Sequence, residues 1–264
     1  PMAMYRQGLC AKALGDKKTE LKIYQKLFKY YPSSKLSMEA RYQAGQLLID
    51  ENPLLAQKYF NAVSKSDIDE DYRIASAYYQ ARIEAGRLRY SKSPFKNKKF
   101  EKVEQAFREY LEHAPDGRLA VNVVNTWKKF NPELSTSDAL LVSKAYYLAS
   151  MYNDADAVLN DSKETWALKA SIAYSKKNVE KTKTLVEEGI LKYADAVSDE
   201  DYKRAVRDYL KIFKDDDKYT YTSKLFSLAK GKNKDYIWNL KCETSPKAEK
   251  AACFNSLYAN YPNG

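Results

Sequence analysis

Apolar residues in this chain recur at intervals of three and four, and in three places the run ends on a proline. The runs are Tyr24, Leu27, Phe28, Tyr31; Phe107, Tyr110, Leu111, Ala114; and Phe254, Leu257, Tyr258, Tyr261. Spacing of i, i+3, i+4 and i+7 lays each set along one buried helical face. Pro32, Pro115 and Pro262 then stop the helix, because the pyrrolidine ring cannot occupy the next turn. After the first two copies a further helix is expected at once, from Leu36 and from Leu119. The third copy runs out at Gly264, where a partner helix would begin, so the chain is expected to be a piece of a longer protein.

The same periodicity predicts helices over 2–15, 17–31, 36–50, 53–64 and 70–90. A further set follows at 100–113, 118–130, 137–151, 154–160, 163–175, 178–193, 199–213, 217–230, 233–242 and 246–260. The clearest stripe is Tyr202, Ala205, Val206, Tyr209, Leu210, Phe213, and a second is Leu185, Val186, Gly189, Ile190, Tyr193. Strand-like alternation is hard to find, and 8 Gly with 8 Pro leave little punctuation for the many turns of a β protein. Short helices on short turns pack on their sequence neighbours. The expected fold is all-α: an irregular α-solenoid or superhelix of antiparallel helix pairs. It is read as repeats over 1–90, a loop or linker at 91–99, and a continuing superhelix over 100–264, truncated at its C-terminal end.

Composition narrows the function. A hydrophobic fraction of 44%, with 23 Tyr and 9 Phe, supports a packed core. No run of ~18 apolar residues is present to span a bilayer, and residues 1–15 lack the basic start, apolar core and small-residue site of a leader. The 45 Lys and Arg against 35 Asp and Glu give a net charge of +10, able to attract acidic polymers, lipids or phosphates. Most lysines alternate with acids on solvated faces. The densest cationic run, Lys92, Lys96, Lys98, Lys99 and Lys102, surrounds Pro94 and Asn97 and is the candidate contact patch. No nucleic-acid motif accompanies it, so nucleic acid is not an expected partner.

The first helix pair resembles a tetratricopeptide unit. Gly8, Tyr24 and Pro32 meet that repeat's pattern, while Met4, Gln7, Ala11 and Glu20 depart from it. Gly8 would let the paired helix approach, and Tyr24 would fill the space between the two. The three terminating prolines are 83 and 147 residues apart, not multiples of one ~34-residue period, so an irregular array is expected.

The second half carries a narrower likeness. Asn131-Pro132-Glu133-Leu134-Ser135-x2-Asp138-Ala139-Leu140-Leu141, Ala145-Tyr146-Tyr147-Leu148-Ala149 and Asp154-Ala155-Asp156-Ala157-Val158-Leu159 are followed by Thr165-Trp166-Ala167-Leu168-x-Ala170 and Asp208-Tyr209-Leu210. Asp235-Tyr236-Ile237-Trp238-x-Leu240, Ser245-Pro246 and Leu257-Tyr258-x2-Tyr261-Pro262-x-Gly264 complete it. Together, over residues 100–264, these resemble the superhelical region ahead of the catalytic domain in soluble lytic murein transglycosylases. The resemblance implies a periplasmic or cell-envelope protein whose solenoid serves as scaffold. A lysozyme-like domain would stand further along the chain, cleaving the glycan with one catalytic Glu in a Glu-Ser motif. No Glu-Ser dipeptide occurs in these 264 residues, so no catalytic residue carries over. The implied role is noncatalytic: to position the enzyme or its partners, peptidoglycan or an envelope protein. The competing reading is a cytoplasmic tetratricopeptide-like adaptor that binds a protein segment in its groove.

Other chemistry is sparse. His113 stands at a helix end, suited to capping or to the helix dipole, and one His with three scattered Cys offers no metal-ligand spacing. Gly231-Lys232 lacks the upstream glycine of a phosphate loop, and Asp67-x-Asp69-Glu70-Asp71 lacks the glycine and terminal Glu of a calcium loop. No cofactor is expected. Helical spacing puts Trp127, Trp166 and Trp238 in inter-helix packing, while pairs such as Tyr30-Tyr31, Tyr78-Tyr79 and Tyr146-Tyr147 place one ring inside and one near the rim. Cys242 and Cys253 flank Ser245-Pro246. A hairpin there would bring them to bridging distance, or they remain ordinary buried thiols.

Overall fold

The computed structural model describes residues 1–88 and 96–261. The chain divides into two compact units, Pro1–Leu134 and Ser135–Gly264. Unit one holds α1 (Met2–Ala13), α2 (Lys17–Tyr30), α3 (Lys35–Leu48), α4 (Pro53–Ser64), α5 (Glu70–Leu88), α6 (Lys96–His113) and α7 (Ala120–Phe130). Unit two holds α8 (Thr136–Leu148), α9 (Tyr152–Val158), α10 (Trp166–Ser175), α11 (Val179–Tyr193), α12 (Asp199–Leu210), α13 (Asp215–Leu228), α14 (Lys234–Thr244) and α15 (Lys247–Asn260). Among the described residues there is no strand. The fold is an all-α, solenoid-like helical repeat.

Local chemistry sets the helix starts. Asp16, Asn52, Ser135, Asn178 and Ser198 each accept a hydrogen bond from the backbone N–H three residues on, satisfying a donor that the first turn leaves free. At Ser135 the cap is reinforced: its hydroxyl also donates to Asp138 Oδ2 at 2.8 Å. The Asn-Pro-Glu-Leu-Ser segment is therefore the connection into α8. Asn131 also donates its Nδ2 to Glu104 Oε1 at 2.6 Å, which takes the Trp127 indole N–H as well, at 3.2 Å.

Neighbouring helices are keyed by an aromatic ring against a glycine. A Cβ on Gly8 would stand 2.3 Å from the Tyr24 ring, one on Gly45 would stand 2.8 Å from Phe60, and one on Gly189 would stand 2.2 Å from Trp166. All three rings are buried. The first key is the one expected from the sequence. The second repeats it at almost the same spacing, so α3 and α4 form a second unit of the same kind, and in unit two the order is reversed.

In unit one each helix packs on the next from α1 to α7, and α1, α3, α5 and α7 also touch in succession. These alternate helices therefore form one face. In unit two α10 packs on both α11 and α12, and α11 on α13, around Trp166, Val186, Tyr202, Tyr209, Leu225 and Ile237.

The structure corrects the expected connection at 91–99. Residues 91–95 lie outside the described residues, but 96–99 form the opening turn of α6. Phe100 is the reason: its ring stacks on Phe130 at 4.0 Å, anchoring that turn against α7. α5 and α6, on either side of the segment, pack on each other within unit one.

Gly189→Ala should destabilise the protein by about 2 kcal/mol, because overpacking against a buried indole outweighs the gain in helix propensity. Gly86→Ala, in the same kind of element but with nothing within 4 Å of the added Cβ, should stabilise it by about 1 kcal/mol or less. Urea unfolding followed by circular dichroism reads both signs, and equal effects would contradict the keyed packing.

Candidate ligand-binding face

The face of α1, α3, α5 and α7 contains two clefts, and one stripe of α5 lines both. Tyr72 and Ala75 belong to the first, and Tyr78, Arg82 and Ala85 to the second. Spacings of three and four put these side chains on one side of the helix.

The first cleft, of about 410 Å³, is lined by tyrosines and amides together with the charged Lys12, Asp69, Asp71 and Arg118. The Tyr42 ring meets Tyr72 edge-on at 5.1 Å. Gln46 donates to the hydroxyls of Tyr42 at 3.1 Å and Tyr79 at 2.9 Å, and Lys12 donates to Gln43 Oε1 at 2.7 Å. Burial pushes the phenols of Tyr42, Tyr72 and Tyr110 up from their ordinary range; for Tyr72 the nearby carboxylates of Glu39 and Asp69 add to it. These are therefore neutral O–H groups at physiological pH. At the edge, His113 Nε2 is 2.7 Å from Asp71 Oδ1. Rings with neutral hydroxyls and amides suit a hydroxyl-rich ligand such as a sugar.

The second cleft, of about 450 Å³, lies between α5 and α7. It takes its polar side from Asn122, Asn125, Thr126 and Lys129, the exposed stripe of α7; Val123, Val124, Trp127 and Phe130 are the buried one. Arg82 closes it from α5. Both volumes fall within the range usual for small-ligand sites.

The residues expected to form a contact patch do not converge on either cleft. Lys92 lies outside the described residues, and Lys96 contributes its backbone to the opening turn of α6. Lys98, Lys99 and Lys102 are exposed on that helix, and Lys99 pairs with Glu84 at 3.5 Å. His113, the last residue of α6, pairs with Asp71. Asp69 Oδ1 accepts the Asp71 backbone N–H at 3.0 Å, the helix-start role that acids before α5 favour.

Trp127 is fully buried, and Trp166 donates to the Tyr193 carbonyl at 3.1 Å. Trp238 packs on Phe226 and Tyr261. The tyrosine-pair expectation holds for Tyr146-Tyr147, whose first ring is buried and second half-buried. It fails at Tyr78-Tyr79, where both are buried between helices, and at Tyr30-Tyr31, where both are exposed at the end of α2.

Cys242 and Cys253 are joined by a disulfide, with Cα atoms 5.4 Å apart. Ser245 turns the chain between α14 and α15, its hydroxyl donating to the Lys241 carbonyl at 2.8 Å, and Lys250 donates to the Glu243 carbonyl at 3.0 Å. That hairpin brings a residue of the last turn of α14 level with one inside α15. Cys10 is a free, exposed thiol.

Of the residues lining the two clefts, Tyr78, Asp69, Asp71 and His113 were singled out from the sequence, but Tyr72, Arg82, Asn122 and Lys129 were not. Their signal was there in α7, whose Asn122, Asn125, Thr126 and Lys129 repeat at the same helical spacing as the apolar stripe opposite. No protein-family model and no curated protein matches this chain.

Alkylation of unfolded, never-reduced protein should add one label per chain, at Cys10. Intact-mass analysis showing three labels would refute the bridge.

Proposed function

We propose that this chain is a noncatalytic helical scaffold of the kind that stands ahead of the catalytic domain in soluble lytic murein transglycosylases, and that it holds peptidoglycan on the α1, α3, α5, α7 face. The supporting observation is the pair of clefts on one stripe of α5. One offers tyrosine rings and amides suited to sugar, and the other offers cations suited to the carboxylates that murein also bears. The motifs of residues 131–264 supply the family resemblance. The Cys242–Cys253 bridge favours an oxidising compartment such as the periplasm, since disulfides persist mainly there. None of the described helices is long and apolar enough to cross a membrane.

A second reading, a tetratricopeptide-like adaptor holding a protein segment on the same face, is favoured by the two glycine-aromatic keys of α1–α4. The two readings part on the ligand.

Purified insoluble murein should retain the protein at low salt and release it progressively as salt rises, because exposed charge pairs are screened beyond ~8 Å at physiological ionic strength. Tyr72→Ala should lower retention severalfold with little change in melting temperature, as Tyr72 is only half-buried. No soluble muropeptide should appear above a buffer blank. Absence of retention at every salt concentration would sink the murein reading. Turnover abolished by mutating one Glu would sink the noncatalytic one.

A further inference from the structure

The cleft between α5 and α7 has a charge pattern that names its ligand more narrowly. Arg82 and Lys129 line it, and none of the residues lining it is acidic. Arg82 has one ion pair among the described residues, with Asp50 at 3.5 Å; the Asp50 side chain is 85% exposed. A pair so solvated contributes little and yields readily to a better-placed carboxylate. Lys129 forms no ion pair among the described residues. Asn122, on α7, faces the same space and offers an amide donor and an amide acceptor. The floor is open at Gly86, where an added Cβ would meet nothing within 4 Å.

We infer that this cleft binds the free carboxylate of a short peptide, held by Arg82 and Lys129, with Asn122 hydrogen-bonding a main-chain amide of the peptide. Guanidinium matches the planar carboxylate with paired N–H donors, and a side-chain amide matches a main-chain amide in both donor and acceptor.

The murein reading supplies the owner of that carboxylate, a stem peptide, and on this point alone the inference rests on it. Tyr72 and Arg82 are ten residues apart on α5, about 15 Å at 1.5 Å per residue. A stem of four extended residues reaches roughly 13 Å. Sugar in the tyrosine cleft and the end of its stem in the cationic cleft are thus at compatible separations.

The test is calorimetric titration with three probes: a soluble disaccharide-tetrapeptide murein fragment, the same fragment with its carboxyls amidated, and an acidic protein-like tail peptide of equal length. The fragment should bind, and amidation should weaken it about tenfold, a loss of ~1.4 kcal/mol. The double variant Arg82→Gln, Lys129→Gln should weaken the free fragment to a similar degree and lose the sensitivity to amidation. Lys22→Gln with Lys26→Gln, which removes the same charge from an exposed part of α2, should leave binding unchanged. Circular dichroism melts check that each variant is folded. Equal binding of free and amidated fragment, or of the wild type and the double variant, would overturn the site.

If insoluble murein retains the wild type and the double variant equally, the murein reading stands and this cleft falls. If the fragment binds through Arg82 and Lys129 but intact murein is not retained, the carboxylate site stands and the murein reading falls. Tighter binding of the protein-like tail than of the murein fragment would overturn the stem peptide as owner.

Discussion

The face formed by α1, α3, α5 and α7 depends on how closely successive helices approach, and a ring seated where a neighbouring helix has no Cβ sets that approach. Tyr24 against Gly8 and Phe60 against Gly45 fix α2 to α1 and α4 to α3. Because rings fill the interior of each pair, the large apolar side chains are used up between partners. What lines the two clefts on their common side is mostly polar or aromatic with a hydroxyl, with Ala75, Ala85 and Phe130 among it. A face with two partly polar clefts results.

α5 shows how one helix serves both purposes. Its buried residues Tyr78 and Tyr79 join an aromatic network with Phe60, Phe107 and Tyr110, with centroids 4.8 to 6.1 Å apart. Tyr78 Oη nonetheless reaches Thr126 Oγ1 at 3.5 Å, at the wall of the second cleft. Burial raises the Tyr78 phenol, so that hydroxyl stays neutral while the ring packs. The cleft is therefore built directly on the core, which holds its polar groups in place.

The helices were legible because their ends are written in local chemistry. A proline after Tyr31 or Ala114, and a Ser, Asn or Asp three residues before a free N–H, act within one turn. The Phe100 contact that starts α6 early was not legible, since its partner Phe130 lies thirty residues on and a lysine-rich, proline-containing segment reads locally as a loop. The Gly189 stripe and Trp166 were each visible as core, but their mutual fit is a property of two helix faces and needs the fold. The clefts escaped for a related reason. Apolar periodicity marks the stripe a helix buries, while the second cleft takes its polar side from the opposite stripe of α7.

The C-terminal hairpin marks where apolar packing gives way to a covalent tie. α15 buries one residue, Leu257, and α14 buries Ile237 and Cys242. Side chains so few bury too little area to hold a helix of 14 residues against the entropy of freeing it. The Cys242–Cys253 bridge supplies the missing constraint by closing a loop across an eleven-residue separation. Ser245 and Lys250 add hydrogen bonds at the turn, where helix ends would otherwise present unpaired carbonyls. In a reducing environment the same hairpin would rest on Leu257, the Trp238–Tyr261 ring contact and those few polar contacts, so the attachment of α15 depends on the redox conditions in which the protein works.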